Sequence, residues 1–327
     1  MTMPLKERSK EPYVSLIVPV YNEEDVLDAF LERTSQVMAD TNLEYEYIFV
    51  NDGSRDATLP MLVERSRQNP RIRVLNLSRN FGKEAALTAG IDHIRGNVLI
   101  PMDVDLQDPP ELITDFVKKW REGYDIVYGV RTARDDDGYI KRKTASWFYG
   151  FFNWLSSTHI PDNAGDFRLV DERAIEVLRQ LPERNRFMKG LFAWVGFPSI
   201  GVPYERPARA AGRTKWNLRK LWNFALDGLF SFSTVPLRVW SYVGVIVSLV
   251  AFIYASYIVI RVLAFGIDVP GYASLLTVVL FLGGIQLLSL GIIGEYLGRL
   301  FIETKGRPIY IVQDVFEGGA AAGEKQQ

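Results

Sequence analysis

The chain has 327 residues, with 38 basic side chains against 39 acidic ones, two histidines and no cysteine. That length suits about two domains and a sizeable core, while the missing cysteine excludes disulfides, thiolate metal sites and cysteine nucleophiles. A formal charge of -1 makes no case for nucleic acid as a partner, and the mean hydropathy of +0.01 is an average over two unlike parts.

The first part alternates strand and helix. Val14 to Val20 is a short apolar run suited to a buried strand, and Tyr21-Asn22-Glu23-Glu24 opens a helical pattern behind it. Tyr45 to Val50 reads as a second strand, ended by Asn51-Asp52-Gly53-Ser54. Ile72 to Leu77 is a third strand, Lys83 to Ile94 a helix, and Val98 to Met102 a fourth strand that stops at Asp103-Val104-Asp105. Strands separated by helices predict an α/β domain with a mainly parallel sheet covered on both faces. Ligands of such sheets bind beyond the carboxyl ends of the strands. Here polar groups follow three of those ends, at 21–23, 52–54 and 103–105.

Further along, Lys141, Arg142 and Lys143 precede a dense aromatic stretch from Trp147 to Trp154. Residues 140–155 suit a membrane interface and core packing equally well. In 216–232, Leu218, Leu221, Trp222, Ala225 and Leu229 follow helical spacing opposite Arg219, Lys220, Asn223 and Asp227, as in a helix lying among lipid headgroups. No charge occurs from Val239 to Ile260, nor from Val269 to Gly294. Runs of this length reach roughly 30–40 Å as helix, enough to cross a bilayer, and Trp240, Tyr242, Tyr254, Tyr257 and Tyr272 lie towards their ends. Two membrane helices are predicted, over about 236–262 and 270–297.

Arg219, Lys220 and Arg238 precede the first span, and Arg299, Lys305 and Arg307 follow the second. The positive-inside rule puts both termini and the large domain in the cytoplasm of an inner-membrane, multi-pass protein. No cleavable signal opens the polar Met1–Lys10 segment. The division is therefore a cytoplasmic domain over 1–233, two membrane helices over 234–300 and a tail over 301–327, polar and disordered from Gly318. Gly294-Glu-Tyr-Leu-Gly298, with Gly283, Gly284 and Gly291 nearby, offers small surfaces for helix contact, so a homo-oligomer is expected.

The chemistry concentrates in Asp103-Val104-Asp105-Leu106-Gln107-Asp108-Pro-Pro-Glu111. Oxygen donors in a tight turn suit a hard cation such as Mg²⁺ or Mn²⁺, and with only His93 and His159 available zinc is disfavoured. Neither G-x-x-x-x-G-K-[ST] nor G-x-G-x-x-G occurs, which disfavours a P-loop NTPase or a Rossmann dehydrogenase.

Val18-Pro-Val-Tyr-Asn-Glu23, Val50-Asn-Asp-Gly-Ser-Arg-Asp56, Arg79-Asn-Phe-Gly-Lys83 and the 102–111 motif together resemble family 2 glycosyltransferases of the GT-A fold. Gly165-Asp-Phe-Arg168, the 206–215 segment and Lys305-Gly-Arg-Pro-Ile-Tyr310 narrow the likeness to the polyprenyl-phosphate branch, which includes dolichol-phosphate mannose synthase and bactoprenol glucosyltransferases. The resemblance runs from about residue 12 to 312. It implies a nucleotide-sugar donor, a polyprenyl (undecaprenyl) phosphate acceptor and inversion at the anomeric carbon. Carried over by position, Pro19, Tyr21, Asn22, Glu23, Val50, Asp52, Asp103 and Val104 would line the donor site, and Asp103, Asp105 and Gln107 would hold the metal. Asp166 matches the proposed base position and either takes a proton or orients the acceptor. Asp52 has the alternative reading of an Asx-type turn cap, and Lys83 either contacts the nucleotide or caps a helix start. Asn51 stands where the family more often has Asp, which leaves base recognition open.

Arg131, Arg168, Arg206, Arg209, Arg213 and Lys215 are the candidates for the acceptor phosphate, Arg being suited to bidentate contact. The 206–215 cluster also reads as a patch drawn to anionic lipid. Glucose from UDP-glucose is the expected donor. Mannose, galactose, N-acetylhexosamine and 4-amino-arabinose types stay open. A processive polysaccharide synthase is disfavoured by the missing Q-x-x-R-W motif. A scaffold or lipid carrier without catalysis is disfavoured by the intact carboxylate set.

Overall fold

The computed structural model describes residues 9–132, 164–181, 183–184, 186–205, 235–265 and 271–319. The expected interfacial stretches, 140–155 and 216–232, lie outside the described residues.

β1 (Tyr13–Val20), β2 (Glu44–Asn51), β3 (Ile72–Leu77) and β4 (Val98–Pro101) match the four predicted strands to within a residue or so at each end. Each is apolar on both faces because each is covered on both faces. On one side Leu16, Val18, Tyr47 and Phe49 pack against α1 (Leu27–Thr41), α2 (Thr58–Gln68) and α4 (Leu112–Arg121) through Phe30, Leu62, Phe116 and Trp120. On the other, Ile17, Ile48, Val50 and Leu99 meet α3 (Lys83–Asp92), α5 (Glu172–Gln180) and α6 (Met188–Trp194). α3 lies very close to the sheet: a Cβ on Gly90 would fall 2.3 Å from Ile17 Cγ2. That close approach fixes where the first residue of α3, Lys83, stands.

The eight strands run in the order β7-β5-β6-β4-β1-β2-β3-β8, with β5 at Ile126–Arg131, β6 at Ala164–Asp171, β7 at Ser199–Tyr204 and β8 at Val312–Phe316. The sheet is mainly parallel, as expected, with two of its eight strands, β6 and β8, reversed. β3, β2, β1 and β4 are parallel to one another, and β7 is parallel to β5. β6 runs antiparallel to both β4 and β5, and β8 antiparallel to β3. In the parallel half Val20 pairs with Asn51, and Met102 N–H donates to Ile17 O at 2.9 Å. The carboxyl ends of β1, β2 and β4 therefore open on one edge.

α7 (Val235–Phe265, 31 residues) and α8 (Tyr272–Thr304, 33 residues) cover both predicted spans. Their apolar segments, Tyr242–Phe265 and Phe281–Thr304, have no share buried within the protein. Exposed Phe252, Ile253, Leu263, Leu287 and Leu290 are unlike the side chains of a soluble core helix. Length and composition suit a bilayer crossing. α8 continues past the charge-free run, through a 2.9 Å Arg299–Glu295 pair.

The chain then returns to the sheet. Glu303 accepts from the Arg184 N–H at 2.8 Å, Tyr310 OH donates to Asp92 at 2.8 Å, and β8 pairs with β3. Glu317 closes the strap against Arg73 at 3.0 Å and Arg95 at 2.9 Å. Residues 312–316 are thus a strand of the sheet, where the sequence pattern suggested only a tail.

Candidate active site

Three loops converge where β1, β2 and β4 end. After β1, Asn22 takes a left-handed conformation (φ 53°) that lets its N–H donate to Ser54 Oγ at 3.0 Å while its Oδ1 accepts from Arg55 N–H at 2.8 Å. Glu23 N–H donates to Thr58 Oγ1 at 2.9 Å. The turn bearing Tyr21, Asn22 and Glu23 is therefore tied to the loop after β2, with Tyr21 37% exposed on the surface. Pro19 is half-buried beside it, whereas Val50 is fully buried in the core under the site.

Asp52 is buried, and its carboxylate accepts from the Phe81 N–H at 2.7 Å and the Gly82 N–H at 2.9 Å. Its carbonyl accepts from Asn80 Nδ2 at 3.1 Å. Asp52 thereby secures the 80–82 segment beside the start of α3, where a negative charge is favoured. Burial raises its pKa, against the lowering effect of those two N–H bonds. Asn51 donates from Nδ2 to Asn76 Oδ1 at 2.8 Å, and Asn76 in turn donates to Asp314 Oδ2 on β8 at 3.0 Å.

After β4, the 103–108 turn contains a second left-handed non-glycine residue, Leu106 (φ 54°). Such a conformation costs roughly 1–2 kcal/mol and persists where surroundings impose it. Val104 and Leu106 are buried as its anchors, and Gln107 N–H donates to Asp105 Oδ1 at 3.2 Å. Gln107 Oε1 is buried without a hydrogen-bond partner among the described residues. No group of three or more His, Cys, Asp or Glu side chains converges among the described residues. Two carboxylates and an orphaned amide oxygen on one strained turn nonetheless form a hard-oxygen donor set that fits Mg²⁺ or Mn²⁺, ions that also take phosphate oxygens.

Lys83 joins two of the predicted acids. Its Nζ lies 2.7 Å from Asp103 and 2.9 Å from Asp166, bridging the two carboxylates. Lys189 approaches the other Asp166 oxygen at 3.6 Å. Burial alone would raise the Asp166 pKa, but Lys83, Lys189 and Arg168 outweigh it and hold the carboxyl well below its usual range. Glu84, beside Lys83, is driven the other way: burial first, then the charge of Asp166, push it up to about 7. Its Oε2 accepts from Met188 N–H at 3.1 Å.

Of the expected phosphate cations, Arg131 donates from Nε to Tyr204 OH at 3.2 Å, and Tyr204 OH donates to the buried Asp108. Arg168 is buried and spent on the carbonyls of Gly165, at 2.7 Å, and Asp166, at 3.4 Å, with its guanidinium over the Phe192 ring. Burial lowers its pKa to about 10. It braces the segment that carries Asp166. Arg206, Arg209, Arg213 and Lys215 lie outside the described residues. Lys189, Glu84 and Tyr204 were not singled out as site residues from the sequence, and Asp108 only as part of the 103–111 motif. The available signal for Lys189 was a lone cation in the apolar run Met188-Lys-Gly-Leu-Phe-Ala-Trp194.

Comparison with known proteins matches residues 15–179 to Glycosyl transferase family 2 and residues 235–300 to the GtrB C-terminal hairpin. An uncharacterised glycosyltransferase of Synechocystis is 54% identical, over 93% of this chain and 95% of its own length. The prophage bactoprenol glucosyl transferase homolog of Escherichia coli is 48% identical, over 92% of this chain and 99% of its own. The SfII prophage-derived bactoprenol glucosyl transferase of Shigella flexneri is 47% identical, over 93% and 99% respectively.

Proposed function

The chain belongs to glycosyl transferase family 2, and from that membership we propose that it transfers glucose from UDP-glucose to the phosphate of a polyprenyl lipid, undecaprenyl phosphate, at a membrane surface. The observation that carries this reading is the joint match of the catalytic domain and the C-terminal hairpin, shared nearly end to end with bactoprenol glucosyl transferases.

The chemistry follows from the charges. An acceptor monophosphate, with a second pKa of about 6, is largely dianionic at neutral pH and is already a nucleophile. It attacks the anomeric carbon in line, the bond to the diphosphate breaks, and the configuration inverts. An Asp166 carboxyl held below its usual range is a poor proton acceptor, so its work is to hold Lys83 in place. Lys83, bridging Asp103 and Asp166, is placed to counter negative charge where donor and acceptor meet. Arg131, aligned by Tyr204, supplies a planar cation beside Gly165 and Asp166. A divalent ion held by Asp103, Asp105 and Gln107 would neutralise the departing nucleoside diphosphate.

The α7–α8 pair crosses the membrane as a hairpin, with both termini and the catalytic domain on the cytoplasmic face, following the Lys and Arg bias of the flanks. Gly294 and Gly298, with open space where a side chain would stand, offer a small surface for a second helix, which supports a homo-oligomer.

The test is a panel of UDP-glucose, UDP-galactose, UDP-N-acetylglucosamine and GDP-mannose offered with undecaprenyl phosphate and Mg²⁺ or Mn²⁺ to the detergent-purified full chain. Glucosyl phospholipid from UDP-glucose alone is expected. Product from another sugar donor overturns the glucose assignment, and no product from any overturns the function.

A further inference from the structure

Asp166 is held by two ammonium groups that are not equivalent. Lys83 is shared between Asp103 and Asp166 at 2.7 and 2.9 Å, within hydrogen-bond reach of both. Lys189 stands 3.6 Å from Asp166 Oδ1, beyond a good hydrogen bond, and no second carboxylate pairs with it among the described residues. Its side chain is 21% exposed and that of Asp166 34%, so the pair reaches solvent. Lys83 is a locked bridge, and Lys189 is loosely engaged.

The backbone behind Lys189 is firm. Met188, Leu191 and Phe192 of α6 are buried against the sheet, and Glu84 accepts the Met188 N–H at 3.1 Å. The residue after Lys83 thus fixes the residue before Lys189. A flexible side chain on a fixed mount can move its ammonium without moving the fold.

Charge bookkeeping shows why a movable cation is needed. Asp103 and Asp166 already balance Lys83 and Lys189, and Arg168 is committed to two backbone carbonyls. A phosphate dianion entering beside Asp166 would meet Arg131 and a carboxylate of its own sign. We propose that Lys189 binds the acceptor phosphate, leaving its long contact with Asp166 as the dianion arrives while Lys83 stays to neutralise that carboxylate. This role rests on the transfer reaction proposed above. It makes Lys189 a substrate-binding residue specific to the acceptor half of the reaction.

Lys189→Ala, Lys189→Met and Lys189→Arg are compared with wild type in the full chain, using undecaprenyl phosphate, UDP-glucose and Mn²⁺ in detergent. Thermal melts confirm the fold of each variant. The KM for undecaprenyl phosphate rises at least tenfold in the Ala and Met variants, the KM for UDP-glucose and the affinity for UDP stay within twofold, and Arg recovers most of the loss. An unchanged lipid KM overturns the proposal. So does a parallel loss of UDP affinity, which would make Lys189 a prop for Asp166 and the donor side. If Ala and Met misfold, Lys189→Gln takes their place: a raised lipid KM with UDP affinity kept supports phosphate binding, and an unchanged lipid KM or a weakened UDP affinity refutes it. Failure of wild type to make any lipid-linked sugar overturns the reaction itself, before a variant is compared.

Discussion

Glu84→Gln tests the electrostatics of the site through stability alone. The Glu84 carboxyl titrates near 4.5 in an unfolded chain and at about 7 here, because burial and the charge of Asp166 outweigh Met188 N–H, Lys83 and Lys189. The folded protein therefore binds this proton more tightly than the unfolded chain. The resulting stabilisation is full below pH 4.5 and is lost as pH rises through 7. At 1.36 kcal/mol per pH unit the whole effect is about 3 kcal/mol, of which about 2 kcal/mol falls between pH 5 and pH 8. Gln is neutral at every pH and still offers an oxygen to Met188 N–H. Relative to wild type, the variant should gain stability steadily from pH 5 to pH 8, by roughly 4–8 °C in melting temperature. The assay is a set of thermal melts on the detergent-purified full chain in matched buffers. A melting-temperature difference that stays constant with pH would refute the reasoning, and one that shrinks at high pH would reverse its sign.

Arg73 ties the C-terminal strap to the core: it donates to His93 O at 2.8 Å and pairs with Glu317 at 3.0 Å and with the buried Glu46 at 3.3 Å. Arg73→Met should cost about 3 kcal/mol in a denaturant titration, since it strips a buried carboxylate of its charge partner; a loss under about 1 kcal/mol would show that Ser15 and Arg95 N–H suffice for Glu46. Gln107→Ala should leave the melting temperature without metal nearly unchanged, because Oε1 has no partner to lose. The same variant should raise the half-activating Mn²⁺ concentration about tenfold, and an unchanged Mn²⁺ requirement would remove Gln107 from the metal site.

The parallel half of the sheet was legible because burial on both faces writes itself as unbroken apolar runs, and loops that end such strands must be polar. The turns at 21–23, 52–54 and 103–105 do meet at one edge. The reversed strands were less legible: β6 reaches β4 and β5 only through long-range pairing, and no local pattern states the direction of a strand. β8 was hidden for a related reason. Val312-Gln-Asp-Val-Phe316 is a short edge strand of alternating character, and its partner β3 lies on the far side of the α7–α8 pair in sequence.

Asn51 shows how such hidden pairing bears on the site. From sequence it is a missing carboxylate next to Asp52, which leaves donor-base recognition open. In the fold both ends of its amide are used internally, Oδ1 accepting from Ser54 N–H at 3.3 Å and Nδ2 donating to Asn76. Asn76 can accept that bond because its own Nδ2 is turned to Asp314 of β8. A carboxylate at 51 has no donor to give, so Asn76 would face acids on two sides and its buried Oδ1 would lose its donor. The amide at 51 and the acid at 314 therefore form one arrangement, in which the strap returning from α8 braces the strand end that presents Asp52. The loop after β2 and the α7–α8 pair are linked through the sheet, and the departure at 51 belongs to that link.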